Sequence, residues 1–173
     1  MYKLPRQGLK VLKLIHLVLI VGWLGGGMAM NLLAYQMSTL DNQAGLLAAF
    51  NMIEAIAVQL ASNCAMVTIV IGLIYGIFTN WGFIKHPWVI LKWLISIFVI
   101  ITGSIYTSAY LDKMQAAVEQ SGAAALQSPA YQALAQANLR LGIAQLMLLV
   151  LAVALSIWKP WSKNKTKNLQ PKQ

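Results

Sequence analysis

Long apolar runs alternate with short polar segments along the chain. Four of these runs lie near residues 11–34, 59–78, 88–110 and 139–158. Each holds roughly 20 residues, the length that an α-helix needs to cross a hydrocarbon core of about 30 Å. The pattern therefore predicts an all-α protein, an integral membrane four-helix bundle.

The segments around these runs complete the predicted organisation. Residues 1–10 form a basic N-terminus, and residues 11–158 form a single transmembrane domain with an outer loop or helical cap at 111–138. Residues 159–173 form a basic tail. The first run contains Trp23 and is longer than the apolar region of a cleaved signal peptide, so we expect it to remain as a spanning helix.

Composition points to the same class of protein. Hydrophobic residues make up 59% of the 173-residue chain and charged residues only 10%. Soluble domains typically have about 25% charged residues. The chain is therefore adapted to lipid, and little of it remains for a separate soluble domain.

The positive charges predict the orientation of the helices. They cluster before the first run, between the second and third runs, and after the fourth run, in a chain with a net charge of +9. The residues concerned are Lys3, Arg6, Lys10, Lys13, Lys85, Lys159, Lys163, Lys165, Lys167 and Lys172. Because basic segments favour the cytoplasmic side, we expect both termini to be cytoplasmic and the protein to lie in the bacterial inner membrane. These lysines flank spans instead of forming a folded basic face, so the lipid bilayer is the expected partner and nucleic acid is not.

Capping residues indicate that the second and fourth helices extend beyond the bilayer on the outer side. Ser128 followed by Pro129 is typical of a helix start. A helix from there to Trp158 has roughly 30 residues and a length of about 45 Å. Asp41 or Asn42 similarly caps a predicted second helix.

The outer segment between the third and fourth runs is rich in alanine and glutamine. Residues 114–137 have high helix propensity, with a break expected near Ser121 and Gly122. We expect a short helical cap or hairpin there. A solvated linker is the alternative.

His16 and Lys92 are the main candidates for function. Each lies about five residues into its helix, or roughly 7–8 Å from the cytoplasmic end. Ionisable groups inside a spanning segment are costly and therefore mark candidate sites. The alternative without a function is that His16 lies in the membrane interface and that the side chain of Lys92 extends so that its ammonium reaches the headgroups. Asn63 and Gln145, at comparable depths in the outer leaflet, are instead candidates for hydrogen bonds between helices.

Glycines lie near the level of His16. Gly22 and Gly26 are four residues apart on the first helix, and Gly72 and Gly76 are four apart on the second. Such pairs allow helices to approach closely. The alternative is that the missing side chains leave room for a flat ligand, because helix bundles build cofactor sites from facing helices.

Two short motifs resemble a known family. His16, followed by six residues and Trp23, with Gly26 beyond, is similar to the first-helix motif of the oxygen-independent protoporphyrinogen IX oxidases of the HemJ type. Trp88 followed by three residues and Lys92 resembles that family's third-helix motif. The family belongs to a broader set of small four-helix membrane proteins grouped with CopD-like copper-resistance domains.

The resemblance implies a haem b site and an oxidoreductase activity. It makes His16 the axial ligand of the haem iron and Lys92 a catalytic residue or a partner for a haem propionate, with Trp23, Gly22 and Gly26 as further cofactor-binding residues. Quinone or a porphyrin would be the partner, and a homo-oligomer is an open alternative. The family has proline and arginine in the stretch that follows the first motif, whereas residues 28–35 of this chain contain neither. This departure weakens the inference of oxidase activity more than the inference of haem binding.

Copper transport and a non-catalytic membrane scaffold are the rival functions. Thioethers suit Cu(I), and Met28, Met30 and Met37 cluster at the outer end of the first helix. Cys64 is the one cysteine of the chain, so no internal disulfide is possible. His86 precedes Pro87 in a cytoplasmic turn, where we interpret it as interfacial, with a second-ligand role as the alternative.

Overall fold

Four long helices make up the structure, a computed structural model that describes residues 5–78 and 86–159. They are α1 (Arg6–Thr39), α2 (Gln43–Phe78), α3 (Pro87–Gln127) and α4 (Pro129–Trp158). All four are long and apolar enough to cross a membrane, and no strand occurs within the described ranges. The all-α class and the four helices of spanning length are thereby confirmed.

Side chains cap the two predicted helix starts. The Asn42 side chain accepts a hydrogen bond of 2.7 Å from the amide of Gly45, so Asn42 is the N-cap of α2 and Asp41 is not. The Ser128 hydroxyl accepts one of 3.2 Å from the amide of Tyr131 at the start of α4. Each bond satisfies an amide that the first helical turn leaves without an intrahelical partner.

The segment 111–138 is helical and belongs to the long helices. α3 continues as an α-helix to Ser121, and Gly122 then takes a φ of 60°, which glycine adopts at little cost. A 3-10 turn, Gly122–Gln127, leads into α4. The Gln43 side-chain amide donates to the carbonyl of Val118 (3.0 Å), which ties the start of α2 to the end of this α-helix.

The packing order of the helices places α1 diagonally to α3. α1 packs along α2 and α4, and α3 packs along α4. α2 and α3 pack against each other through their outer parts, Gln43–Ala55 and Ser108–Ser121. Nearer the other end of the bundle, the ring of Trp93 on α3 faces Gly72 on α2 and bridges the two helices.

Two apolar cores lie along the bundle. The outer core is built from Met37, Leu46, Ala49, Phe50, Ile53, Met114, Val118, Ala125 and Tyr131. The inner core is built from Trp23, Ala61, Ala65, Ile95, Val99, Leu149, Ala152 and Leu155. Elsewhere, many large apolar side chains of all four helices point outward, as expected for helices that face lipid.

A π-helical segment, Ile56–Ser62, separates the two parts of α2. Buried residues recur every seven positions on either side of it, as for Leu46 and Ile53 or Ala61 and Thr68, but Ile53 and Ala61 are eight apart. A π-turn accommodates one extra residue. It therefore shifts the buried positions by one while both parts keep facing the bundle.

α3 contains a second π-helical segment, Gly103–Thr107. Trp88, Ile95 and Thr102 are buried at intervals of seven, and the next buried residue, Met114, follows twelve positions later. Three turns of a regular α-helix would take about eleven residues. The extra residue again lies between the inner and outer cores.

Candidate functional site

His16 lies on α1 in a half-buried position near the inner end of the bundle. Its Nδ1 atom is buried and has no hydrogen-bond partner among residues 5–78 and 86–159. Its ring meets the ring of Tyr75 edge-on, with centroids 6.1 Å apart and planes at 75°. The Tyr75 hydroxyl donates to the carbonyl of Leu9 (3.3 Å), which holds α2 against α1 beside the histidine.

Lys92 lies on α3, also half-buried, above an aromatic surface. Its Nζ atom is 5.8 Å from the centroid of the Trp88 ring, a distance at which the cation and the ring attract each other. The Trp88 ring is buried and stacks with His86 at 6.1 Å between centroids. The ammonium is therefore held at this level by a packed indole.

His16 and Lys92 lie on diagonal helices, and both side chains are half-buried. Each contacts an aromatic ring, His16 that of Tyr75 and Lys92 that of Trp88. We define these four residues, His16, Tyr75, Trp88 and Lys92, as the inner site. An imidazole nitrogen and an ammonium group in one apolar layer can bind a metal-centred or anionic ligand.

Gly22 and Gly26 lie in the contact between α1 and α2. A Cβ added to Gly22 would lie 2.7 Å from Sγ of Cys64, and one added to Gly26 would lie 3.3 Å from Cβ of Ala61. Trp23 is buried in the inner core, seven residues and two turns from His16 on the same face of α1. These contacts correspond to the close-packing alternative for the two glycines.

The three outer methionines of α1 occupy different environments. Met28 is exposed, Met37 is buried in the outer core, and Met30 packs against both cores. Within the described ranges, no three His, Cys, Asp or Glu side chains are grouped to hold a metal ion. The three methionines therefore do not share one environment.

Polar residues cross the bundle in its outer half. Nε2 of Gln145 donates to the Thr102 hydroxyl (2.9 Å). This bond joins α4 to α3, as predicted for Gln145 from the sequence. Asn138 is buried, and its Oδ1 has no hydrogen-bond partner in the part of the chain that the structure describes. Asn63, the other candidate for such a bond, donates instead to the Gln59 carbonyl of its own helix (2.9 Å) and stays exposed.

Sequence reasoning missed Tyr75 as a neighbour of His16. Nothing in the local pattern marks this tyrosine, because its approach depends on how α1 packs against α2. A partial signal lay in the seven-residue separation of Thr68 and Tyr75, which places the tyrosine on the same face as a buried residue.

The chain matches no protein-family model, no curated protein and no solved structure. The assignment of function therefore depends on the residues of the inner site.

Proposed function

We propose that this protein is a haem b-binding membrane redox protein in which His16 is the axial ligand. The observation that carries the proposal is the burial of Nδ1 of His16 without a hydrogen-bond partner among the described residues. A buried polar atom without a hydrogen bond costs about 1–3 kcal/mol. A bound ligand that engages Nδ1 would remove this penalty, and the half-buried Lys92 on the diagonal helix supplies a cation.

The side chains of the inner site fit the parts of a haem in two respects. His16 offers an imidazole, the commonest protein ligand of haem iron, and Lys92 offers a cation for a propionate. Tyr75 holds the edge of the imidazole, and Trp88 keeps the ammonium inside the bundle. Bound haem supplies one-electron chemistry, and its potential depends on the ligand and on burial.

Gly22 and Gly26 pack against α2, so they would not hold the cofactor. Trp23, two turns from His16, would separate the site from the inner core. Lys92 is the candidate catalytic residue. Its ammonium group can bind a carboxylate of a porphyrinogen substrate or supply a proton to a quinone as the quinone is reduced.

We further propose that the inner site faces the cytoplasm and that the outer core projects beyond the opposite side of a bacterial inner membrane. The basic termini support this orientation. On α4, exposed large apolar residues begin at Ile143, whereas Gln136 and Arg140 are exposed on the outer side of that point. The outer core resembles that of a water-soluble bundle, with Leu46 and Val118 fully buried.

Absorption spectra test the haem site. The protein is expressed with ample haem supply, purified in mild detergent, and measured in oxidised and dithionite-reduced forms as wild type, His16→Ala and His86→Ala. We expect b-type bands in the wild type and in His86→Ala, and their loss in His16→Ala, with partial recovery when imidazole is added. His86→Ala is the matched control, because it removes the second histidine of the chain from the same end of the bundle.

Lys92→Gln separates ligation from anion binding. We expect it to keep the band positions and to retain less haem during purification, because a neutral amide no longer pairs with a propionate. A well-folded wild type without haem would refute the redox proposal and favour a scaffold. If haem is bound, porphyrinogen oxidation and quinone reduction are the activities to assay.

A further inference from the structure

A polar stripe lies on the outward surface of α2 among apolar side chains. Gln59, Ser62 and Asn63 are exposed there, and the exposed apolar residues Val58 and Met66 flank them. Counted back from Phe78, Asn63 is about 22 Å along the helix. This distance is shorter than a hydrocarbon core of about 30 Å, so the carboxamide of Asn63 lies at a depth where lipid would surround it.

Lipid chains cannot satisfy these groups. Nδ2 of Asn63 donates to the Gln59 carbonyl (2.9 Å), and this bond leaves the other donor of the amide and its carbonyl oxygen available. Polar side chains inside a membrane are costly unless they find a partner, and they usually face protein. The stripe therefore indicates a protein contact on this face of α2.

Other helices present methionine to lipid at the same level. Gly26 faces Ala61 of α2 and Gly27 faces Leu146 of α4, so the neighbouring residues Met28 and Met147 lie close to the level of Ser62. Their side chains are 58% and 68% exposed. The exposed carboxamides thus distinguish α2 from α1 and α4 at this depth.

A shallow groove on the surface of α2 continues the stripe toward the outer end. It is lined by Asn51, Glu54, Ala55, Val58 and Gln59, at the start of the first π-helical segment. Ala55 and Ser62 are small, and small residues let a second helix approach closely.

We propose that a second copy of this chain packs on the α2 stripe, so that the protein is a dimer through α2 and its two-fold mate. A carboxamide is both donor and acceptor. In a two-fold contact the carboxamide of Asn63 therefore pairs with that of Asn63 in the other copy, and each supplies a donor and an acceptor to the other. Both copies insert in the same orientation, so the two α2 helices run parallel, as a symmetry axis along the membrane normal requires.

The dimer is independent of the haem proposal, because the stripe points away from the inner site. Glu54, the acidic residue of the groove, is exposed and lies farther out than Asn63, where water can solvate it. The contact consequently joins polar groups in the outer leaflet and leaves the inner ends of the helices free.

Cysteine cross-linking in native membranes tests the face. The native thiol is removed with Cys64→Ala, and single cysteines are introduced as Ser62→Cys on α2, Met28→Cys on α1 and Met147→Cys on α4. We expect oxidation to give a covalent dimer with Ser62→Cys and little with the two controls. Equal cross-linking at all three positions would indicate random collision, and cross-linking at a control alone would place the interface elsewhere; either result overturns the proposal.

Substitution of the amides tests the energetic role of the stripe. Hydrogen bonds between membrane helices are each worth a factor of about three in association. Gln59→Leu with Asn63→Leu should therefore weaken dimerisation in lipid bilayers by about 3- to 10-fold, measured by single-molecule photobleaching over a range of dilutions. Gln136→Leu, an exposed amide on α4, should leave it unchanged. A monomeric wild type, or a dimer equally stable in both variants, would contradict the proposal, and unchanged circular dichroism excludes misfolding as the cause.

Discussion

Substitution of Gly22 by alanine distinguishes helix packing from ligand binding at this position. The added Cβ would lie 2.7 Å from Sγ of Cys64, a distance that requires movement of the thiol or of the helices. The next nearest atoms, Cβ of Cys64 and Cδ1 of Leu60, would lie at 3.7 Å, which is ordinary contact. The strain thus comes from one sulfur atom.

The magnitude follows from two opposing terms. Overpacking of a well-packed site costs about 1–3 kcal/mol. Replacement of glycine by alanine inside a helix contributes about 1 kcal/mol of stability. We therefore expect Gly22→Ala to lower the free energy of unfolding by about 0–2 kcal/mol, the difference of these two terms.

Cys64→Ala removes the sulfur and should reverse the sign. In that background only the helix-propensity gain remains, so Gly22→Ala should leave stability unchanged or raise it by about 1 kcal/mol. The coupling between the two substitutions then equals the strain, about 1–3 kcal/mol.

Unfolding by SDS of the detergent-solubilised protein, followed by tryptophan fluorescence, measures all four members of this double-mutant cycle. The absence of coupling would refute the steric argument. A different refutation would be a Gly22→Ala protein of normal stability that loses haem and is not restored by Cys64→Ala, because the glycine would then line the ligand site.

Two further substitutions probe the cores and the helix ends. Phe50 is 2% exposed in the outer core, so Phe50→Ala should lower the free energy of unfolding by about 3–5 kcal/mol. Phe98 is 50% exposed, so Phe98→Ala should change it by less than about 1 kcal/mol. Similar losses for both would argue against a packed outer core. Ser128→Ala should cost about 1 kcal/mol in thermal or SDS unfolding by removing the N-cap of α4, and Ser128→Asp, which can still accept the amide hydrogen bond, should restore it.

Features encoded by local chemistry were predictable from the sequence. The four apolar helices follow from run length, and the caps at Asn42 and Ser128 follow from residue type and position. The length of α3 was harder to predict, because alanine and glutamine mask its periodicity. Met114 and Val118 nevertheless recur at helical spacing and are buried in the outer core.

Features that depend on packing between helices were not predictable. Counting along the apolar runs predicted one depth for His16 and Lys92, but α1 begins at Arg6 and α3 at Pro87, so the two residues lie ten and five positions into their helices. The diagonal arrangement of α1 and α3 depends on packing between helices. The contact of Tyr75 with His16 depends in the same way on α1 and α2. Gly22 and Gly26 allowed two interpretations from sequence, because a missing side chain can make room either for a neighbouring helix or for a bound ligand.

The two π-helical segments have a consequence for changes in chain length. Deletion of one residue within 56–62 would leave Ile53 and Ala61 seven positions apart, which is about two turns of a regular α-helix. The π-helical segment would become α-helix, and both parts of α2 would keep facing the bundle. A deletion in a regular part of the helix, which has no extra residue to lose, would instead rotate the buried positions beyond it by about 100°. Insertions between α1 and α2, outside both helices, should be tolerated far better. Length variation in proteins that share this fold is therefore expected at the helix junctions and, by one residue, at each of the two π-helical segments.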